Sequence, residues 1–283
     1  MSDLVLIMAA PFVACLLLVA MFSYLGIHII AREVIFVDLS LAQLAALGST
    51  CALLFGVAPG STLGHVFALA ATTMGALIFA LTRTSRARRR VPQEAIIGIV
   101  FVVSSAAAIL VAERAPTGAE LIKDALVGSI LWVDWPTIPR LAVVLFAVGL
   151  FHWWLRRRFF TISLNEDEAT RLGWHIKWWD FWFYGSFGVA ITVAVPIAGV
   201  LLVFTFLVIP AVMAFLFTRR PPVLLAVSWT TAVVVCAAGL VISFEWDLPT
   251  GPLIVCLFGL ALIAAGIVSR WTPMPERTGG NIQ

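Results

Sequence analysis

The chain has 283 residues, of which 62% are hydrophobic and only 12% charged, and its mean hydropathy is +1.06. A soluble globular domain is nearer half apolar and a quarter charged, so that class is excluded. The net charge of +3 is no nucleic-acid signature, because the bases are spread by membrane topology rather than gathered on one patch.

Apolar runs long enough to cross a bilayer core of about 30 Å recur along the whole length. The first, Leu4–Gly26, has no basic stretch ahead of it and no small-residue cleavage site, so it reads as a retained span. Further spans are expected at Val34–Val57, His65–Leu81, Ala95–Ala112, Leu141–Leu155, Phe181–Val195, Gly199–Phe217, Val223–Ile242 and Pro252–Val268. Pro196 and Gly199 interrupt the sixth and seventh, so eight or nine crossings are both open. The expectation is an all-α polytopic membrane protein, one domain over residues 1–271 with a short cytoplasmic tail over 272–283.

Orientation follows from lysine and arginine in the connections. Fifteen of the eighteen lie on one side, among them Arg32, Arg83, Arg156, Arg157, Arg158, Arg171, Lys177, Arg219 and Arg220. Arg114, Lys123 and Arg140 lie on the other. The first side is therefore read as cytoplasmic, with the N-terminus outside and the C-terminus inside. The outer side carries an excess of carboxylates, among them Glu113, Glu120, Asp124 and Asp134, which either favours approaching cations or is plain solubility. Tryptophans 132, 135, 153, 154, 174, 178, 179 and 182 read as headgroup-layer anchors.

Asp38 stands out as the ionisable residue well inside a span. A carboxylate at the bilayer centre costs roughly 2.5–3.5 kcal/mol, so it faces the bundle interior or a water path. Asp38, Ala42, Ala45 and Ser49 share one helical face. The residue reads either as a cation-handling position or as an interhelical hydrogen-bond partner. Gln43 sits about 140° round a regular helix from Asp38, and a π-bulge between them would bring the two together. His28, His152 and His175 fall at the cytoplasmic interface, where solvated or capping roles are expected. His65 opens the third span on the outer side as a lone ligand. Glu94 is expected to act at the N-terminus of its own span. The outer loop from Ala115 to Trp135 reads as partly helical and as a docking surface. The cysteines 15, 51, 236 and 256 read as small buried hydrophobes, and no Cys or His spacing makes a structural zinc site. No Walker lysine loop is present, so this chain is not expected to hydrolyse nucleotide itself.

Between Asn165 and Gly173 the chain reads N-E-D-E-A-T-R-L-G, a charged island among apolar blocks. Asn165 is placed as N-cap, Glu168 closes a capping box, and Gly173 stops the helix. About two turns of helix are expected outside the bilayer, offered to a soluble partner.

Taken in order, several segments resemble the permease subunit of the zinc/manganese/iron class of bacterial ABC importers, the ABC-3 family. They are Arg32-Glu-Val-Ile-Phe-Val-Asp38 running to Gly48, Glu94-Ala-Ile-Ile-Gly98, Leu126-Val-Gly-Ser-Ile-Leu131, Leu164 through Gly173, and Pro196 through Pro210 to Arg220. The resemblance covers nearly the whole chain and implies the type II importer fold of the cobalamin and siderophore permeases. It implies a second permease copy, a cytoplasmic ATPase dimer carrying ATP and magnesium, and an external substrate-binding protein, with no cofactor held by this chain. The bacterial inner membrane is the implied location. Residues Asn165, Glu166, Asp167, Glu168, Ala169, Leu172 and Gly173 resemble the coupling helix that seats in the ATPase. The family carries Asp and, four residues on, His in the second span, as a metal way-station. Here Asp38 keeps the carboxylate, position +4 is Ala42, and Gln43 stands where the family has His. A glutamine carbonyl is a poor ligand for zinc or manganese. The cargo is therefore expected to be either a divalent metal or a metal chelate or other small nutrient. A polytopic enzyme is a weaker reading because no nucleophile, base or metal ligands cluster near one interface. An ion-coupled carrier is weaker because it would show more intramembrane charge and need no soluble docking helix.

Overall fold

A computed structural model of the chain describes residues 2–58, 60–83, 91–114 and 128–271. Much of the loop from Ala115 to Trp135, the arginines between Ser85 and Val91 and the tail from Thr272 lie outside the described residues, as does the expected helix of that loop. Among those described, helix is the only extended secondary structure.

Ten α-helices follow in order among the described residues: α1 (Ser2–Arg32), α2 (Val37–Leu54), α3 (Thr62–Thr82), α4 (Gln93–Ala112), α5 (Thr137–Trp154), α6 (Arg156–Leu164), α7 (Glu166–Arg171), α8 (Ile176–Phe217), α9 (Pro221–Trp246) and α10 (Thr250–Ser269). All but α6 and α7 are long and apolar enough to cross a membrane, which makes eight. Local sequence explains several boundaries. Ser61 caps α3 by accepting from the Gly64 N–H at 3.1 Å, and Pro221 and Pro222 open α9, where a missing N–H costs nothing.

Helix α8 has 42 residues, about 63 Å if straight and twice a bilayer core. It is not straight. Gly199 breaks it at φ 76° and ψ 159°, a conformation that in practice only glycine adopts. Contacts with α1 run in opposite senses on the two sides of that break. Arg32 meets Asp180, and further back along α1 Phe22 meets Phe187, so residues 176–198 run antiparallel to α1. Ser23 meets Phe206 and Gly26 meets Leu207, with Ile27 clustered with Ala211 beyond, so residues 200–217 run parallel to it. The expected break at Pro196–Gly199 is thus a hairpin, and its two limbs are the sixth and seventh sequence spans. The segment before α5 packs on the tip: Ser129 N–H donates to the Ile197 carbonyl at 3.0 Å, and Gly128 lies too close to the Ala198–Gly199 backbone to carry a side chain.

The core sits where α1 and both limbs of α8 meet α2, α3, α9 and α10. Phe22, Phe183, Tyr184, Phe187, Phe206 and Phe258 are fully buried there. Small residues allow close approach: a Cβ at Gly26 would collide with the Leu207 carbonyl, and one at Gly48 would lie 2.5 Å from that of Phe67. Cys15 and Cys236, both buried, face one another across α1 and α9.

Two expectations are corrected here. Helix α2 is regular from Val37 to Leu54 with no π turn, so Gln43 stays on a different face from Asp38. His28 and His152 are not solvated, being 0% and 1% exposed. Glu94 stands in the first turn of its own helix, as expected, and its Oε1 also accepts from the Phe36 N–H at 3.0 Å and so caps the start of α2.

Candidate functional site

The charged island forms as its local residues dictate. Asn165 Oδ1 accepts from the Glu168 N–H at 3.3 Å, and Asn165 Nδ2 donates to Glu168 Oε2 at 3.0 Å. The return contact of Glu168 therefore reaches the cap side chain, because the Asn165 N–H is already given to the Thr161 carbonyl. Gly173 takes φ 71°, and the Trp174 N–H closes onto the Ala169 carbonyl at 3.1 Å, a glycine-terminated stop. The result is the six-residue α7, about a turn and a half. Its face is divided. Asn165, Asp167, Glu168, Leu172 and Gly173 are exposed, whereas Ala169 is buried and Glu166 turns inward.

Glu166 turns inward to a buried charge cluster that joins α7 to three membrane helices. Arg83, just past α3, donates from Nη2 to Glu166 Oε2 at 3.1 Å. Its Nη1 stands 3.1 Å from Asp180 Oδ2 in the first limb of α8, as an ion pair without hydrogen-bond alignment. Asp180 Oδ1 accepts from Arg32 Nη1, at the end of α1, at 2.7 Å. Arg32 Nε donates in turn to Ser163 Oγ of α6 at 2.8 Å, and the same hydroxyl is 2.9 Å from His28 Nδ1. The Arg32 guanidinium also lies over the Phe183 ring, 3.9 Å from its centroid. The Arg32 and Asp180 side chains are both fully buried, and that of Arg83 is 5% exposed. Burial works against the Arg83 charge, but Asp180, Tyr184 and Glu166 beside it more than offset that and raise its pKa above the ordinary guanidinium value.

The α6–α7 corner is thus held at two points three residues apart, Ser163 and Glu166, by two arginines that share one carboxylate. Lys177 Nζ adds a bond to the Leu81 carbonyl at 2.8 Å. These bonds tie α7 to the ends of α1 and α3 and to the start of α8. Asp180 overturns the expectation that Asp38 is alone inside a span. The available signal was an acid among aromatics, Trp178-Trp-Asp-Phe-Trp-Phe183.

Asp38 is 2% exposed, and its Oδ1 has no hydrogen-bond partner. Glu94 is near enough to repel it, and Glu94 Oε2 is likewise unpartnered. A buried carboxylate left this way is costly, and a cation, proton or water relieves it. Ala42 and Ala45 line the same face and are buried, and Ser49 is partly so. Phe36 stacks on Phe204 of the second α8 limb at 6.4 Å, bringing the foot of α2 beside the hairpin. Gln43 is half-buried and not brought to Asp38. His65 Nδ1 bonds the Ser61 carbonyl at 2.8 Å, and His175 is exposed. Among the described residues no three His, Cys, Asp or Glu side chains converge as a metal-holding group.

A bundle of bilayer-length helices, one folded back at a glycine, with a short capped helix clamped to its end by buried charge, is the architecture of a polytopic membrane protein. The chain matches the ABC 3 transport family over residues 5–269 and belongs to it; it is a multi-pass membrane subunit of a bacterial ABC transporter. It is 25% identical over 226 residues to the chelated iron transport system membrane protein YfeD of Yersinia pestis, covering 80% of this chain and 76% of that protein. It is 26% identical over 238 residues to the manganese transport system membrane protein MntB of a Synechocystis species, with the same coverage. Its fold is similar to that of PsaBC from Streptococcus pneumoniae, solved with a Fab, at a TM-score of 0.75 and 17% identity over 92% of this chain and 90% of that one. It also resembles an inward-facing metal-chelate type ABC transporter, at a TM-score of 0.67 and 18% identity over 92% and 85%.

Proposed function

We propose that this chain is the permease of an importer for divalent metal ions, moved by a separate ATPase that seats on α7. The carrying observation is the divided face of α7, whose outer residues are free for a partner while Glu166 ties its inner side to α1, α3 and α8 through Arg83 and Asp180. ATP and magnesium belong to the partner ATPase dimer, and this chain does no chemistry of its own. A second permease copy completes the path, and an external binding protein delivers the cargo. The distribution of lysine and arginine supports a cytoplasmic α7, an outer N-terminus and an inner C-terminus in the bacterial inner membrane. Asp38 is the proposed cargo contact, since one of its oxygens is buried without a hydrogen-bond partner near the foot of α2, which Phe36 brings beside the hairpin. The relatives named for manganese and chelated iron support a metal cargo.

Two results test this reading. Asp167→Lys or Glu168→Lys reverses charge on the exposed face. Each is expected to leave permease stability within about 1 kcal/mol while weakening the purified ATPase complex by about tenfold or more. Undiminished ATPase binding and uptake in both variants would remove the docking assignment. Asp38→Ala is expected to lower uptake of Mn²⁺ or Zn²⁺ by about tenfold or more, the effect of losing ~1.4 kcal/mol of cation stabilisation.

The separation of Gln43 from Asp38 favours a second reading, a cargo that arrives with its own ligands. Uptake of a chelate that persists in Asp38→Ala, with no transport of bare Mn²⁺ or Zn²⁺ by the parent chain, would select it.

A further inference from the structure

The α5–α6 junction carries three consecutive arginines, Arg156, Arg157 and Arg158, all exposed. None pairs with a carboxylate among the described residues, where the ion pairs are confined to the Arg32–Asp180–Arg83–Glu166 cluster. Two are instead steadied by indoles. Arg156 lies 4.8 Å from the Trp153 ring centroid, and Arg158 lies 4.4 Å from that of Trp179. A ring face fixes a guanidinium in place but accepts few of its five N–H donors, which remain available. Between α5, α6 and the start of α8 lies a groove of about 520 Å³, lined by Phe151, Trp154, Trp179 and Trp182 together with Arg157 and Arg158. Trp154 and Trp182 remain exposed on its rim.

We propose that this groove binds an anionic phospholipid of the surrounding leaflet, its phosphodiester held by Arg157 and Arg158 and one acyl chain lying on the Phe151 and Trp182 wall. The chemistry matches at both ends: guanidinium forks meet phosphate oxygens in bidentate geometry, and indoles favour the boundary between headgroup and chain. Position also argues for lipid over a protein acid. The groove lies where α5 ends and α8 begins, at the level where a membrane-crossing helix meets headgroups, and basic pockets there collect anionic lipid. The site is separate from the exposed acidic face of α7, and it stands whether or not the cargo is a metal.

The test uses the purified permease–ATPase complex in detergent, titrated with phosphatidylglycerol or phosphatidylcholine carrying brominated chains, and reads quenching of tryptophan fluorescence. Phosphatidylglycerol is expected to bind roughly 25-fold more tightly than phosphatidylcholine, about fivefold for each arginine near an anionic headgroup. In Arg157→Gln/Arg158→Gln that preference is expected to collapse toward unity, while Arg157→Lys/Arg158→Lys, which keeps the charge, retains most of it. Arg219→Gln/Arg220→Gln serves as the control basic pair and is expected to change nothing. Equal binding of the two lipids by the parent complex overturns the proposal, as does an unaltered preference in the glutamine double variant. Competition by millimolar inorganic phosphate as effective as by the lipid would mean a free-anion site instead. Dissociation of the permease pair in the glutamine variant, with lipid preference intact, would mean a protein interface and would equally overturn it.

Discussion

Replacing Asp180 with alanine is expected to destabilise the permease by about 3–5 kcal/mol, enough to remove most folded protein from a membrane preparation. The reason is what remains behind. Arg32 would keep Ser163 and the Phe183 ring but lose its counter-ion in a fully buried position, and Arg83 would keep only Glu166. Two buried cations around a cavity are worse than none. The double variant Arg32→Met/Asp180→Leu is therefore expected to recover most of the loss, because it removes an ion pair and fills the space while leaving Arg83–Glu166 intact. Thermal midpoints of the three chains in one detergent check this. An Asp180→Ala protein within about 1 kcal/mol of the parent would show that the cluster is not the structural hub assigned to it.

The second large effect is expected at Gly26. Its Cβ position falls on the Leu207 carbonyl oxygen, a backbone atom that cannot swing aside. Accommodating even alanine requires α1 to move off the second limb of α8. Gly26→Ala is expected to cost about 3 kcal/mol or more, at or beyond the usual range for overpacking, and Gly26→Val to prevent folding. Gly185 provides the contrast. It lies in the first limb with nothing within 4 Å of a built Cβ, so Gly185→Ala is expected to be neutral or to stabilise by up to ~1 kcal/mol. Midpoints that fell equally for both alanine variants would mean a general intolerance of side chains in these helices and not a local collision.

What was legible in the sequence was local. The Asn165 cap, the Gly173 stop and the break at Gly199 each depend on residues close together in the chain, and all three appear in the structure. Span positions followed from hydropathy, with ends displaced by several residues: α1 continues to Arg32 and α8 begins at Ile176. The charge cluster was not legible, since its partners are 83 to 148 positions apart. Arg32 and Arg83 were counted as topology markers in connections, and Asp180 fell one residue before the expected start of its span. Charge and hydropathy alone do not say that three helix ends converge. The same holds for His28 and His152, which read as interfacial by position but are buried against Ser163 and Ser186. Glu166 likewise turns toward Arg83, a contact across 83 positions that the local sequence does not reveal. In helix α2, the 140° between Asp38 and Gln43 was computable from the outset, and the regular helix preserves it.

The order of the buried charges along the chain bears on how the protein is made. Synthesis proceeds from the N-terminus, so Arg32 and Arg83 are inserted before Asp180 leaves the ribosome. Long basic side chains can wait at the headgroup boundary by snorkelling, whereas a short aspartate has little such reach. The acid therefore arrives last, into a place where both countercharges already stand, and no stage of biogenesis needs to hold it bare in lipid.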